Sequence, residues 1–149
     1  AARLADAAGW SPARVESLAE AALVHDIGAL AVPRAARPQG LHDEDPAVRG
    51  LRALAGAEVL RGALREDQVA WVRGQAERWD GSGRPDGLAG AAIPEGARIL
   101  AVADGWDLLT AGGEGDATAA RRELAAAAGS RYCPGSVAHL TAVLDAGAR

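Results

Sequence analysis

The sequence predicts an all-α fold, a single domain of about seven helices with one irregular loop. Only 3% of the 149 residues are aromatic and none is Phe, whereas strands are enriched in aromatic and β-branched residues. Apolar residues make up 49% of the chain, and alanine is the commonest of them, which favours closely packed helices. Apolar positions recur at three- and four-residue spacing in successive segments, as amphipathic helices require. A chain of this length can bury one hydrophobic core.

Proline, glycine and capping residues set the predicted helix boundaries. The first helix ends within residues 1–8, and later helices start at Ser11-Pro12, Pro46, Glu66, Pro94, Asp116 and about Pro134. The predicted stops are Gly9, Gly28 with Pro33, Trp79, Thr110, and Ala128 with Gly129. The predicted apolar faces consist of Val15, Leu18, Ala22, Val48, Leu51, Ala55, Val59, Val69, Val72, Ala76, Trp79, Ile99, Val102, Trp106, Leu109, Val137, Leu140 and Leu144. Irregular chain is predicted at 33–45, where His42 is solvated, at 80–93 and at 111–115.

The most irregular stretch reads DGSGRP and begins at Asp80. Its composition predicts several tight turns in succession, with the Asp80 carboxylate accepting hydrogen bonds from N–H groups of its own turn. Gly81 and Gly83 are predicted to hold backbone conformations that side chains disfavour. We expect the loop to pack under the Trp79 end of its helix for structural reasons.

Two features of the helices concern function. His25 ends an apolar face, where a histidine is either a buried core residue or a metal ligand. Asp104 and Asp107 lie beside the apolar stripe of the helix after Pro94, and they are either a solvated edge or part of a site. The residue types alone leave both alternatives open.

The combination of His25-Asp26 with a distant DGSGRPDGLAG-x-x-IP-x-GARILAVAD segment resembles the HD-GYP family. The resemblance covers roughly residues 1–144, with the motifs in the family's order. It implies an all-α HD-type bundle and descent from metal-dependent cyclic di-GMP phosphodiesterases, which act in bacterial signalling. Phosphodiester hydrolysis on that scaffold needs metal ions that activate water and neutralise phosphate charge.

The resemblance also implies which residues form the site. The family's metal ligands are the His-Asp pair, a His on the next helix, a His-His pair before the glycine-rich loop and the Asp of AD-x-x-D. This chain keeps three of them, His25, Asp26 and Asp104. Other functional positions of the family are occupied by Ala29 in place of a Lys, Arg52 in place of the middle His, Gln75-Ala76 in place of the His-His pair and Arg84 in place of the Tyr. An early family His lies before residue 1, and the family's Arg-x-Tyr segment is shortened to 111–115.

These substitutions predict a degenerate, non-catalytic HD-GYP-like signalling or regulatory domain that holds no metal cofactor. The first alternative is a working phosphodiesterase with Fe or Mn at the reduced site of His25, Asp26 and Asp104. The second is a receptor that binds a cyclic dinucleotide without cleaving it. In that case Arg78, Arg84 and Arg98 would contact phosphates, and Asp80, Gly81 and Gly83 would shape the ligand loop.

Arg52 is predicted to replace the metal's charge. Asp26 and Asp104 should converge near His25, because the family fold brings those positions together. Two carboxylates in a partly buried pocket repel each other and need a counter-charge. The guanidinium of Arg52 is therefore expected to pair with Asp26, Asp104 or both, closing the pocket electrostatically without an ion.

Net charge and composition limit the classes of partner that the chain can bind. The net charge is −4 and no arginine run forms a stripe, which excludes nonspecific nucleic-acid binding. Cys133 is the single cysteine, which is typical of a cytoplasmic domain, and no apolar run approaches membrane-spanning length. We expect a fragment of a multidomain bacterial protein that contacts its other domains, signalling proteins or cyclic di-GMP. Homodimerisation stays open.

Overall fold

The computed structural model describes residues 1–32, 45–110 and 116–147. Within these ranges the α-helices are α1 (Ala2–Ala7), α2 (Pro12–Val24), α3 (Pro46–Leu60), α4 (Glu66–Gly74), α5 (Glu95–Thr110), α6 (Ala117–Ala126) and α7 (Pro134–Gly147). Short 3₁₀ helices span Ile27–Ala31 and Gly90–Ala92. The all-α prediction of about seven helices is confirmed. The predictions for 33–44, including His42, and for 111–115 fall outside the described residues.

The helix starts follow the local chemistry of the sequence. Asp45 accepts a hydrogen bond from the Ala47 N–H at 2.8 Å, and Asp116 accepts one from Thr118 N–H at the same distance. Both carboxylates satisfy N–H groups that have no partner inside the helix. Ser11 occupies the N-cap position of α2 without a side-chain cap bond.

Three helices end earlier than predicted. The helix α2 ends at Val24, before the predicted stop at Gly28 and Pro33, and a separate 3₁₀ helix, Ile27–Ala31, follows it. The helix α4 stops at Gly74 and not at Trp79, and the buried Glu77 in the turn that follows accepts hydrogen bonds from the loop beyond it. The N–H of Trp79 then bonds to the Arg131 carbonyl at 3.2 Å, outside any helix. The helix α6 ends at Ala126, two residues before the predicted stop, and Gly129 adopts a φ of +84° just after it. Pro94 precedes α5, which begins at Glu95.

The prediction of the inward face of α3 was wrong. Leu51 and Val59 are 52% and 59% exposed. The buried positions are instead the small residues Gly50, Ala53, Gly56 and Ala57, together with Leu60. The cause is the neighbouring 3₁₀ helix Ile27–Ala31, which approaches so closely that a Cβ on Gly28 would overlap the Arg52 carbonyl oxygen. Close approach selects the smallest face of a helix, even where another face is more apolar.

A hydrophobic core joins the remaining helices. The predicted core positions Leu18, Val72, Ile99, Val102, Val137 and Leu140 are all buried. At one end the rings of Trp10 and Trp71 lie 5.6 Å apart, with the Arg14 guanidinium 3.6 Å above Trp10. Packing of α4 on α5 is tight, since a Cβ on Gly96 would clash with the Trp71 ring. Among the described helices, none has the length and apolar character needed to cross a lipid bilayer.

Substituting Gly28 by Ala tests the close approach to α3. The added methyl group must push the 3₁₀ helix away from the Arg52 carbonyl, so we expect a loss of about 1–3 kcal/mol in unfolding free energy. Gly135→Ala is the matched control, because the nearest atom to its Cβ is Cys133 Sγ at 3.9 Å and alanine favours helix. Chemical denaturation measures both variants. Equal stability of the two would contradict the packing described here.

Candidate functional site

Three side chains from two separate parts of the chain meet at one point. His25 and Asp26 follow the last residue of α2, and Asp104 lies in the middle of α5. The distance from His25 Nε2 to Asp26 Oδ2 is 3.7 Å, and to Asp104 Oδ1 it is 3.8 Å. One ligand atom from each residue falls within 4.8 Å of the others. The expected convergence of Asp26 and Asp104 near His25 is present. We call these residues the trio.

The imidazole of His25 has a fixed orientation. Its Nδ1 lies 2.7 Å from the Ala22 carbonyl oxygen, which can only accept, so Nδ1 carries a proton. Nε2 is buried and has no hydrogen-bond partner among the described residues. The Asp104 carboxylate raises the pKa of His25 above its usual value, and the charge of Asp26 adds to this increase. Burial of the imidazole acts in the opposite direction but is outweighed. Nε2 is therefore suited either to a proton or to a cation.

Arg52 lies at the trio. Its Nη2 donates to Asp26 Oδ1 at 3.0 Å, which is the contact expected from the sequence. The Asp26 side chain is 62% exposed, so solvent screens this pair. The expectation of a closed, buried charge pair at Asp26 therefore needs correction: the pair forms at the rim of the site.

Sequence reasoning missed the second arginine. Arg49 Nη2 lies 3.5 Å from Asp104 Oδ2, on the inner side of the trio. Burial opposes the charge of Asp104, but His25 and then Arg49 outweigh it and hold the pKa of this carboxyl below its usual value. A signal was available, because Arg49 precedes Arg52 by three residues and so lies on the same side of α3.

Other positions that differ from the HD-GYP pattern make structural contacts. Gln75 Nε2 donates to the His25 carbonyl oxygen at 2.8 Å, and so supports the backbone of the trio. The Ala76 carbonyl accepts from the Arg84 N–H at 3.4 Å. The Arg84 side chain packs on Gly50 of α3, and its guanidinium donates to the Gly83 carbonyl. The N–H of Ala29 donates to the Asp26 carbonyl at 2.8 Å.

The DGSGRP loop is built around Asp80. Its Oδ1 accepts from the Ser82 N–H at 2.9 Å, as predicted, and its Oδ2 pairs with Arg78 at 3.1 Å. Gly81 has a φ of +81°, which confirms the prediction for that glycine. The prediction for Gly83 was wrong in its reason: its φ is not positive, and glycine is needed because a Cβ would overlap the Arg78 N–H.

The contact expected between this loop and the end of a helix at Trp79 also needs correction. Trp79 lies beyond α4, and its carbonyl accepts from the Gly90 N–H at 2.9 Å within the loop. Arg98 lies with its guanidinium 5.9 Å from the Trp79 ring and 4.0 Å from Cys133 Sγ. Arg98 therefore lies near the residue that precedes the loop and near the start of α7.

Glu77 is the principal residue that sequence reasoning missed. Its side chain is buried, and its two oxygens accept from the N–H groups of Asp86, Gly87 and Leu88 at 2.6, 3.1 and 3.1 Å. The carboxylate thus satisfies three consecutive backbone donors of the glycine-rich loop. The sequence signal was a single acidic residue just before a loop whose N–H groups have no regular partners.

The trio fits one divalent ion in ligand type and spacing. An imidazole nitrogen and two carboxylate oxygens are common ligands of transition metals, and water can complete the coordination shell. Within the described ranges the trio is the one group of three or more such side chains, so no ligand set for a second ion accompanies it. The two guanidinium groups already contact one oxygen of each carboxylate, which leaves the opposite oxygens facing His25.

Comparison with known proteins places the chain in a family. The HD domain family matches residues 1–134. The chain belongs to the HD-domain family. The cyclic di-GMP phosphodiesterase response regulator RpfG of Xanthomonas campestris is 40% identical over 112 residues, which cover 71% of this HD domain and 29% of RpfG. The 3'3'-cGAMP-specific phosphodiesterase 2 of Vibrio cholerae is 35% identical over 114 residues, covering 73% of this chain and 22% of that enzyme.

A solved structure confirms the fold of the HD domain. The crystal structure of a cyclic GMP-AMP specific phosphodiesterase of V. cholerae superposes with a TM-score of 0.79 at 19% identity, and covers 97% of this chain and 41% of that one. The resemblance to HD-GYP proteins is thus confirmed at the level of family and fold. This HD domain spans less than a third of the length of the two enzymes described above.

Replacing Glu77 by Gln tests its role as the anchor of the loop. The amide has one acceptor oxygen in place of two and brings N–H groups towards the loop N–H groups. We expect a loss of about 2 kcal/mol or more in unfolding free energy, since buried hydrogen bonds to a charged group are broken. Glu58→Gln is the control: that side chain is exposed and, among the residues that the structure describes, its ion pair is with Arg61 one turn away, so a change within about 0.5 kcal/mol is expected. Similar melting curves for both variants would disprove the anchoring role.

Proposed function

We propose that this HD domain is a non-catalytic signalling or regulatory module of a longer bacterial protein. The observation that carries the proposal is the pairing of both trio carboxylates with guanidinium groups, Asp26 with Arg52 at 3.0 Å and Asp104 with Arg49 at 3.5 Å. A metal ion in such a site would supply positive charge between the two acids. Here arginine side chains supply it permanently.

The ligand positions support the same proposal. Phosphoryl chemistry with two metals needs ligands on both sides of an attacking water. Gln75 and Ala76 stand where the HD-GYP resemblance implies a His-His pair, and Gln75 uses its amide to hold the His25 backbone. Ala29 stands where the resemblance implies a Lys. The substitutions thus affect positions that would bind ions or phosphate, while loop glycines and core residues keep their structural contacts.

A second candidate is a phosphodiesterase with one metal ion. The observation in its favour is the spacing of the trio, together with the buried Nε2 of His25 that faces both carboxylates. His25, Asp26 and Asp104 would hold Fe or Mn, and such an ion lowers the pKa of bound water and neutralises phosphate charge. In this candidate Arg49 and Arg52 would remain beside the acids and weaken the ion's binding through repulsion.

The wider setting of the module is also part of the proposal. The relatives that are named as phosphodiesterases are much longer than this chain, so other domains would provide its input or output. A cytoplasmic location fits the single cysteine and the nature of cyclic dinucleotide signalling. Contacts with attached domains or signalling proteins are the expected means of action, and the net charge of −4 argues against nucleic acid as a partner.

Turnover measurement tests the proposal directly. We expect the purified chain to hydrolyse cyclic di-GMP no faster than buffer, with or without added Mn²⁺ or Fe²⁺, because the trio cannot build a two-metal site. Chromatography of the nucleotide products provides the measurement. Hydrolysis that disappears in a His25→Ala variant, or about two metal ions per purified chain, would favour an enzyme and reject the non-catalytic proposal.

An Arg52→His variant tests whether arginine took the place of a ligand. The Arg52→His change removes the competing guanidinium charge and adds a fourth ligand to the trio, so we expect Mn²⁺ affinity to rise about tenfold or more. Arg52→Gln is the control, since it removes the charge without adding an imidazole. Calorimetric titration with the metal compares the variants. If Arg52→His binds the ion no better than Arg52→Gln, the position is not equivalent to a ligand.

A further inference from the structure

The two arginine pairs of the trio differ in their exposure to solvent. In the pair of Arg49 with Asp104, the side chains are 24% and 26% exposed. In the pair of Arg52 with Asp26, the arginine is 27% exposed but the carboxylate is 62% exposed. Water weakens the interaction between charges, so a pair that is shielded from it interacts more strongly. The charge of Arg49 therefore acts on the trio more strongly than that of Arg52, although its contact is longer, 3.5 Å against 3.0 Å.

The Asp104 carboxylate is shared between two groups. Its Oδ1 lies 3.8 Å from His25 Nε2, and its Oδ2 lies 3.5 Å from Arg49 Nη2. A cation that binds to Asp104 and His25 must therefore share this carboxylate with the guanidinium of Arg49. Two cations at one carboxylate repel each other, and in a half-buried site little water is present to reduce the repulsion. Arg49 thus opposes a divalent ion at the acid that is better shielded from solvent.

The backbone of α3 next to Arg49 is tightly packed. A Cβ on Gly50 would overlap the Cβ of Arg84. A Cβ on Gly28 would overlap the Arg52 carbonyl oxygen. Closely packed segments of this kind resist displacement. The guanidinium of Arg49 could therefore give way to an incoming ion only by a change of its own side-chain conformation, and not by movement of its helix.

We propose that Arg49 is the residue that excludes divalent metal ions from the trio, and that Arg52 contributes less. This role of Arg49 rests on the proposed function, in which arginine charge takes the place of an ion, and it identifies which of the two arginines controls the site. The HD-GYP resemblance places Arg52 at a ligand position and singles it out for that reason. The structure, however, places Arg49 beside the shielded acid.

Calorimetric titration of the intact chain with Mn²⁺ tests the role of Arg49. We expect Arg49→Gln to raise the affinity for Mn²⁺ about tenfold or more, because the repelling charge at the shielded carboxylate is gone. Arg52→Gln should raise it by less than about fivefold, since charge pairs at exposed groups are weak. The two variants introduce the same side chain, so their difference reports the position of the arginine that was removed.

Three further variants serve as controls. Arg49→Lys keeps the positive charge and should bind Mn²⁺ no better than the wild type. Arg121→Gln removes the partner of Asp145 between α6 and α7, and its affinity should equal that of the wild type unless any unpaired aspartate binds the ion. Adding His25→Ala to Arg49→Gln should abolish the gain, because the ion then loses a ligand of the trio.

Thermal unfolding provides a second readout that does not depend on activity. In EDTA, Arg49→Gln should unfold at a lower temperature than the wild type, because Asp104 has lost a counter-charge. Mn²⁺ should raise the Tm of this variant and leave that of the wild type unchanged, since an ion that binds the folded state stabilises it. If Arg49→Gln does not fold in EDTA, recovery of its circular dichroism spectrum with Mn²⁺ supports the role of Arg49, and no recovery contradicts it.

Two results of the titration would overturn the role of Arg49. One is a wild-type chain that binds Mn²⁺ as tightly as Arg49→Gln does, and the other is an equal gain in Arg52→Gln and Arg49→Gln. Neither result shows that the chain is an enzyme. The non-catalytic function is rejected separately, by hydrolysis of cyclic di-GMP by the wild-type chain, whichever arginine excludes the ion.

Discussion

The close approach of the 3₁₀ helix Ile27–Ala31 to α3 determines the rest of this HD domain. At Gly28 there is no room for a side chain, because the Arg52 carbonyl lies where a Cβ would be. This contact fixes the distance between His25-Asp26 and the arginine face of α3. It also decides which face of α3 is buried, and hence which side chains point to the trio. Backbone packing thus determines where the charged residues of the site are placed, before their flexible side chains adopt a conformation.

The opposite side of the site depends on a buried carboxylate. Glu77 lies in the turn after α4, and its carboxylate accepts hydrogen bonds from three N–H groups of the loop that follows. The N–H groups of Trp79 and Asp80, at the start of that loop, donate to carbonyls of the connection between α6 and α7. The Glu77 carboxylate therefore also helps to position Arg131, indirectly through the loop. Gln75 links the two sides, since it belongs to the turn after α4 and bonds to the His25 carbonyl. Packing and hydrogen bonding together therefore hold cations and acids at fixed separations.

The sequence predicted the elements of this fold better than their contacts. Proline and aspartate caps located the starts of α3 and α6, since capping depends on neighbouring residues only. Periodicity failed for α3, because it ranks faces by hydrophobicity, while the contact with Gly28 requires small residues. The pair of Arg52 with Asp26 followed from the family resemblance. Arg49 and Glu77 were missed because their partners are 55 and about ten residues away: the local signals pointed to the two residues and not to their partners.

Under the proposed function, an arginine in place of a metal ligand changes what a site of this shape responds to. A site that needs ions depends on their concentration and on the protonation of its ligands. Guanidinium groups stay charged at any physiological pH, so the acids of the trio keep their counter-charge whether or not metal is present. Under the proposed function, the pairs of Arg49 with Asp104 and of Arg52 with Asp26 therefore take over the role of an ion's charge, so the trio stays balanced when ion concentrations change.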